Sequence, residues 1–484
     1  MGTVNPRRWW ALGVLAAAQF MVIMDTSIIG VALPQMQEDL GFSQGGLQWV
    51  FNAYVIAFGG LLLLGGRLSD LLGARRVFAA GWVVLTAGSV VAAAAGSATV
   101  EIVGRAVQGA GGALIAPASM TLLMMLFGHD PRELGTALAL YGAAAPAGGT
   151  AGVFLGGVFT QWASWPWIFI IYVPIGLATL AATGLLPAVG RRRGAIDVLG
   201  AAAVTAGLAL AVFAVVRAPE TGWGSTQTLL ELSGAAVLLA LFLAVQKSSK
   251  APLMPLSIWR TPGLGISNAA MALLGAAWIP MWYFLNLYLQ QVLGYGAFAS
   301  GAALLPMTAL LMVFMTTLTG RLLGRFGAKP LIASGLLVLA AGLVWLSAVE
   351  PTGTFLVDVL PASLVAATGM SLAYIPALMS AMAAAPPEQA GLASGIVNTT
   401  YQVGSALGLA ALTAVAASQG ADRLGDLPAL TDGFSAAFLA AAAIAAAGAL
   451  LTVLLMKGAR AAAAASPAES AGQKERLSAP LEVR

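Results

Sequence analysis

The 484-residue chain is 59% apolar and only 9% charged, with a formal net charge of +4. A soluble domain carries roughly 25% charged residues, so this chain lacks the polar side chains to wet its own surface and is placed in a membrane. With no cysteine and a single histidine, His129, it is excluded from disulfide chemistry, thiolate metal sites and histidine-rich proton relays.

A membrane-crossing helix needs about 20 apolar residues. Apolar segments run over 9–33, 47–66, 77–97, 100–127, 134–160, 166–187, 196–217, 227–246, 263–293, 298–320, 330–349, 354–384, 391–418 and 433–456. They predict an all-α integral membrane protein with fourteen spans. The first run follows Arg7 and Arg8 as a signal peptide would. It is longer than a signal core and no small-residue cleavage site ends it, so it is predicted as an uncleaved helix. Residues 457–484, rich in Ala, Ser, Pro and charge, are predicted as a flexible tail.

Orientation follows from basic residues, which collect on the cytoplasmic side of a bilayer. With fourteen spans and an inside N-terminus, one side receives Arg7, Arg8, Arg67, Arg75, Arg76, Arg132, Arg191, Arg192, Arg193, Lys247, Lys250, Arg260, Arg321, Arg325, Lys329 and the tail. The other side receives only Arg217 and Arg423. Removing one helix scrambles this segregation, so both termini are predicted cytoplasmic, in a cell membrane.

The stretch Gly66–Arg76, GRLSDLLGARR, recurs as Gly320–Pro330, GRLLGRFGAKP, at a constant offset of 254. The first copy follows the second span and the second follows the tenth. Two six-helix halves would place it after the eighth, so two extra helices are predicted between them. The expected division is 1–190 for the first half, 191–260 for two inserted helices, 261–456 for the second half and 457–484 for the tail. Secondary transporters are commonly built from such repeats, with the substrate path between them.

Several motifs then resemble one family. MDTSIIGVALP in the first span, Leu47–Phe78 around the first loop copy, GRAVQGAGGA at Gly104–Ala113, WPWIFIIYVPIG at Trp165–Gly176 and Gly391–Ala410 stand in its order and topology. The chain resembles the major facilitator superfamily, specifically its fourteen-helix drug/proton antiporters, over nearly all its length before the tail. The resemblance implies a major facilitator fold, export by alternating access, and no cofactor, the proton gradient supplying the energy. It implies a small hydrophobic substrate, aromatic or cationic, with no nucleic-acid partner and a chain functional as a monomer.

Asp25 is the first candidate residue. An ionised Asp at a helix centre costs roughly 2.5–3.5 kcal/mol, and an acid poised there can be neutral in one state and ionised in another. It lies eight residues before Leu33, about 12 Å of helix, too deep for simple capping. The resemblance implies that it couples proton binding to drug release. Arg105 in the fourth span cannot give up its proton but can tune an acid. Glu101, four residues earlier on the same face, offers a local pair that would only stabilise the helix. The family motif implies instead that Arg105 and Gln108 polarise the coupling region, with Glu101 in it.

In the first loop copy, Gly66 and Gly73 permit a tight turn, and Asp70 can accept from a helix N-terminus or an arginine. The resemblance makes Gly66, Arg67, Asp70, Gly73, Arg75 and Arg76 a conformational latch. Leu71 and Ala74 stand where the pattern carries basic residues. The alternative is a plain positive cytoplasmic loop. In the fifth span Gly148, Gly152, Gly156 and Gly157 match the antiporter motif, while Val153 replaces a proline and Ala139 a glycine. This small-residue face suits close helix packing. Weaker candidates for a substrate cavity are Asn52 and Tyr54, Trp282, Tyr283, Asn286 and Gln290, and Asn398 and Gln402. The Trp282–Gln290 group reads first as an aromatic belt at the outer membrane interface, and Asn52, Tyr54, Asn398 and Gln402 read equally as polar groups that bond neighbouring helices.

The leading expectation is thus a proton-driven exporter of hydrophobic drugs or antibiotics. A proton-coupled importer of a small metabolite and a non-transporting sensor or scaffold are the alternatives. No serine, cysteine or histidine constellation marks an enzyme, and no Lys directly follows a Gly, which removes a phosphate-binding loop.

Overall fold

The computed structural model describes residues 7–128, 130–188, 197–249, 252–254, 256–260, 263–384 and 390–456. His129, Arg191, Arg192, Arg193, Lys250 and the tail at 457–484 lie outside the described residues, as do the side chains of Asp70, Arg132 and Ala139.

Among the described residues, fourteen helices are long and apolar enough to cross a membrane, the number predicted. They are α1 (Arg8–Leu40), α2 (Gly46–Ser69), α3 (Ala74–Ala93), α4 (Ala98–Phe127), α5 (Leu140–Trp162), α6 (Trp167–Leu185), α7 (Val198–Val215), α8 (Thr226–Ser248), α9 (Leu264–Val292), α10 (Ala297–Phe326), α11 (Ala328–Leu346), α12 (Phe355–Ala381), α13 (Gly395–Ala421) and α14 (Leu427–Leu455). α1 overruns its predicted end at 33. It continues through Pro34 and the polar turn of Gln35, Gln37, Glu38 and Asp39 to Leu40. At 1.5 Å per residue its 33 residues span about 50 Å, longer than a hydrocarbon core of roughly 30 Å. Asp25 therefore sits near the middle of the helix.

α4 is held on two sides. Gly104 and Gly111 lie against Ala92 and Leu85 of α3, and Gly109 against the Tyr54 carbonyl of α2. A Cβ at Gly104 would come within 2.7 Å of the Ala92 nitrogen. Such close approach is the usual means of association between helices in lipid, and it fixes where Arg105 points.

Each helix of α1–α6 has a counterpart eight helices on. α3 packs on α4 as α11 does on α12, α1 on α5 as α9 on α13, and α2 on α4 as α10 on α12. The 254-residue offset also extends past the loop. Gly81 and Gly88 of α3 abut α4, and Gly335 and Gly342 of α11 abut α12. The contacts α2–α13 and α5–α10 join the two sets. α7 lies against α2 and α13, with Thr205 on Gly60, and α8 lies on α7 with Leu229, Leu230 and Val237 exposed. Asp197 caps α7 through Gly200 N–H and accepts from Gln246 of α8, whose Oε1 accepts from Met254 N–H.

Candidate functional site

The site begins with Asp25 and Arg105, both fully buried. Arg105 Nη1 donates to Asp25 Oδ2 at 2.7 Å, joining α1 to α4. The same nitrogen donates to Gln108 Oε1 at 2.7 Å, and Nε donates to the Val50 carbonyl of α2 at 2.9 Å. Gln108 Nε2 donates to Ser89 Oγ of α3, which donates to the Leu85 carbonyl. The guanidinium lies 4.6 Å from the Tyr54 ring centroid and 5.8 Å from that of Phe169. Tyr172 of α6 lies beside Asp25. Five helices thus converge on one ion pair.

A buried ion pair loses much hydration and needs further hydrogen bonds to offset it. Arg105 obtains them from Gln108, the Val50 carbonyl and the Tyr54 ring. The satisfaction is incomplete among the described residues. Arg105 Nη2 and the Tyr54 hydroxyl make no hydrogen bond. Glu101 does not form the local pair with Arg105 that its spacing allows. It is fully buried and neither carboxyl oxygen has a partner, because the guanidinium is turned toward α1.

Asp25, Arg105, Glu101 and Gln108, the four coupling candidates of the sequence, all lie in this region. Tyr54, set among cavity candidates, belongs here instead, beneath Arg105. Ser89, Phe169 and Tyr172 were not singled out. Asp358 lies at the start of α12. It is partly exposed and accepts from Thr354 N–H at 2.6 Å.

The loop residues fall differently from expectation. Gly66 does not make a turn, since the second helix runs unbroken to Leu72. Gly73 alone turns the chain, at φ 92°, and Gly327 does so at φ 80° in the second copy. Arg67 and Arg75 are half-buried and Arg76 is exposed at this junction. Leu71 and Ala74, in place of basic residues, are buried.

In α5, Gly148, Gly152 and Gly156 line one face against α1. A Cβ on them would meet the Phe20 carbonyl, Ser27 Oγ with the Met24 carbonyl at 2.8 Å, and the Ile28 carbonyl at 2.5 Å. Gly157 faces α10, where a Cβ would lie 2.9 Å from Phe298 Cα. Val153 is buried and its carbonyl lies against Gly301 of α10.

The cavity candidates divide into two groups. Trp282, Tyr283 and Asn286 are buried in protein, which removes the interfacial-belt reading for them. Asn286 and Trp282 abut Gly30 of α1, Tyr283 packs edge-on to Phe51, and Gln290 Nε2 donates to the Val31 carbonyl. Asn52 donates to Gln48 Oε1. Gln402 lies at the α2–α13 contact, beside Gly59, and Asn398 is partly buried in α13.

The first group sits at the end of the bundle away from the N-terminus, and a ring of glutamines tops it. Gln37 donates to Gln44 Oε1, Gln44 to Gln291 Oε1 and Gln291 to Gln37 Oε1, at 2.9, 3.2 and 3.2 Å. A π-helical turn over Tyr288–Val292 ends α9 and brings both Gln290 and Gln291 to α1. Gln291→Leu leaves two amides without their partners, at about 1–2 kcal/mol. In the cysteine-free chain carrying Asn52→Cys, labelling by a water-soluble maleimide is then expected to speed up roughly tenfold. An unchanged rate shows that the ring contributes nothing to closing this end.

Against known proteins, the family model described as Major Facilitator Superfamily matches residues 15–409. The chain is 39% identical over 413 residues to the cephamycin export protein CmcT of Amycolatopsis lactamdurans, covering 84% of this chain and 85% of that one. It is 36% identical over 427 residues to the puromycin resistance protein pur8 of Streptomyces alboniger, covering 87% and 84%. Among solved structures, an auto-inhibited peptide transporter of the POT family superposes with a TM-score of 0.69 at 17% identity, covering 94% of this chain and 98% of that one.

Proposed function

Because this chain belongs to the major facilitator superfamily, we propose that it exports hydrophobic drugs or antibiotics across a membrane, driven by inward proton movement. It is a multi-pass membrane transporter and not an enzyme. The relatives named for cephamycin export and puromycin resistance support export over import. The observation that carries the proton-coupled reading is the fully buried Asp25–Arg105 pair in the middle of the first helix.

The mechanism follows from what each group can do. Arg105 stays charged, so the proton is taken by Asp25. Protonation neutralises the carboxylate and removes the attraction that holds Arg105 Nη1 to α1. A shift of α1 against α4 is then transmitted to α5, whose glycines touch the same turn of α1, and to α10 beyond it. One half rocks against the other, the substrate site changes sides, and deprotonation resets the pair.

The halves in this reading are 1–190 and 261–456, with 191–260 carrying the inserted pair and both termini cytoplasmic. The eight-helix recurrence of contacts supports the division, and the asymmetry of basic residues supports the orientation. The chain works as a monomer, without a cofactor. The substrate meets aromatic and amide groups of the kind at Asn52, Trp282, Tyr283 and Asn286. The Gly66–Arg76 junction serves as the latch, through Arg67, Asp70, Gly73, Arg75 and Arg76.

Cells expressing the chain are expected to accumulate less ethidium and to survive more puromycin than control cells, and a protonophore should abolish both effects. Protection that persists after the proton gradient collapses overturns proton coupling. Increased accumulation on expression overturns export.

A further inference from the structure

Glu101 has no role in the ion pair as it stands, yet it is fully buried one helical turn from Arg105. Neither of its oxygens is bonded among the described residues, and Arg105 has one nitrogen, Nη2, equally without a partner. The two lie at i and i+4 with the acid first, the favourable orientation for a pair along a helix. The charged groups acting on Glu101 are Arg105 and Asp25. Tyr54 from α2 and Tyr172 from α6 face the same pair, and the uncharged Ser89 of α3 reaches it through Gln108.

Charge decides the rest. One guanidinium compensates one carboxylate, and a second ionised, unpaired carboxyl at full burial is strongly unfavourable. With Asp25 ionised and bonded to Arg105, Glu101 holds the proton. With Asp25 protonated, Arg105 is left uncompensated and Glu101 is the acid within its reach.

We propose that Arg105 is exchanged between two carboxylates, Asp25 and Glu101, which together hold one proton. In the exchange the O–H bond at Glu101 breaks and one forms at Asp25, while the guanidinium leaves Asp25 for Glu101. The exchange itself leaves the site's net charge unchanged and no charge unpaired; uptake from outside at Glu101 and release inward from Asp25 reset the pair. Glu101 is thus a positioning residue for Arg105 and the resting holder of the proton. The proposal deepens the proton-coupled reading and rests on it.

Infrared spectroscopy of the purified full chain at neutral pH tests this without any transport. The wild-type chain should show one buried protonated-carboxyl C=O band that shifts in D2O. Asp25→Asn should remove it, because Arg105 then pairs with an ionised Glu101. Glu101→Gln should also remove it, and Glu101→Asp, which keeps the acid, should move its frequency. That last shift assigns the proton to Glu101 even where Glu101→Gln does not accumulate. A wild-type chain without the band, a band that survives in Asp25→Asn, or one unmoved in Glu101→Asp overturns the proposal. Loss of proton-driven export with this spectral pattern intact would instead sink only the antiport reading.

Discussion

Asp25→Asn is expected to reduce protonophore-sensitive efflux to the background of cells lacking the chain, while the protein still reaches the membrane. Asparagine keeps the size and a hydrogen-bond acceptor for Arg105 but cannot take a proton. Removing one member of a buried ion pair commonly costs about 3–5 kcal/mol, because the other charge is left unpaired. Here the loss should be smaller. Arg105 keeps Gln108, the Val50 carbonyl and the Tyr54 ring, and Glu101 lies one turn away. Melting in detergent should therefore fall by only a few degrees. Substrate counterflow, which moves no net proton, should persist in proteoliposomes. Asp25→Glu retains an acid and should restore part of the coupled flux. Full-rate proton-coupled flux in Asp25→Asn would show that the proton is carried elsewhere.

The same pair shows what the sequence reveals and what it hides. Asp25 and Arg105 were legible because a charge amid apolar residues is costly and therefore conspicuous. Of their partners only Gln108 was, through the motif it shares with Arg105. Tyr54 stands out in the sequence only as a polar group for a cavity, Tyr172 looks like ordinary apolar filler until the fold turns it toward the pair, and Ser89 reaches it only through Gln108. Gln291 meets Gln44 across 247 residues and Gln37 across 254, and no local periodicity encodes such a contact. The fourteen spans were legible because lipid demands long apolar runs. The true end of α1 was not, since its last turns carry polar residues, as a helix that outruns the hydrocarbon can. Gly66 was misplaced for a related reason. Glycine weakens a soluble helix but is common within membrane helices, so only Gly73, with positive φ, marks the turn. The repeat was legible in the loop, and its continuation through Gly81/Gly335 and Gly88/Gly342 was there to be read at the same offset.

Gly156→Val in α5 should cause the second large loss, and it acts on stability and transport together. Even a Cβ at Gly156 would sit 2.5 Å from the Ile28 carbonyl, and one at Gly152 would strike Ser27 and lie 2.8 Å from the Met24 carbonyl. Helix backbone cannot move aside as a flexible side chain can, so α1 and α5 must separate. Overpacking of this kind costs about 1–3 kcal/mol, occasionally more, and valine adds two methyl groups to the clash. Met24, Ser27 and Ile28 bracket Asp25 on the face of α1 that meets α5, while Asp25 turns toward Arg105 on α4. Any displacement of α1 by α5 therefore moves the carboxylate against a guanidinium that α2, α3 and α4 hold in place. Gly156→Val should lower the melting temperature in detergent by several degrees and abolish efflux in the fraction that folds. Gly142, in the same helix with no atom within 4 Å of its Cβ position, is the control. Gly142→Ala removes only a flexible residue from a helix and should be neutral or slightly stabilising. Equal melting and equal efflux for Gly156→Val and Gly142→Ala would mean that the α1–α5 contact neither holds the fold nor transmits the proton's effect.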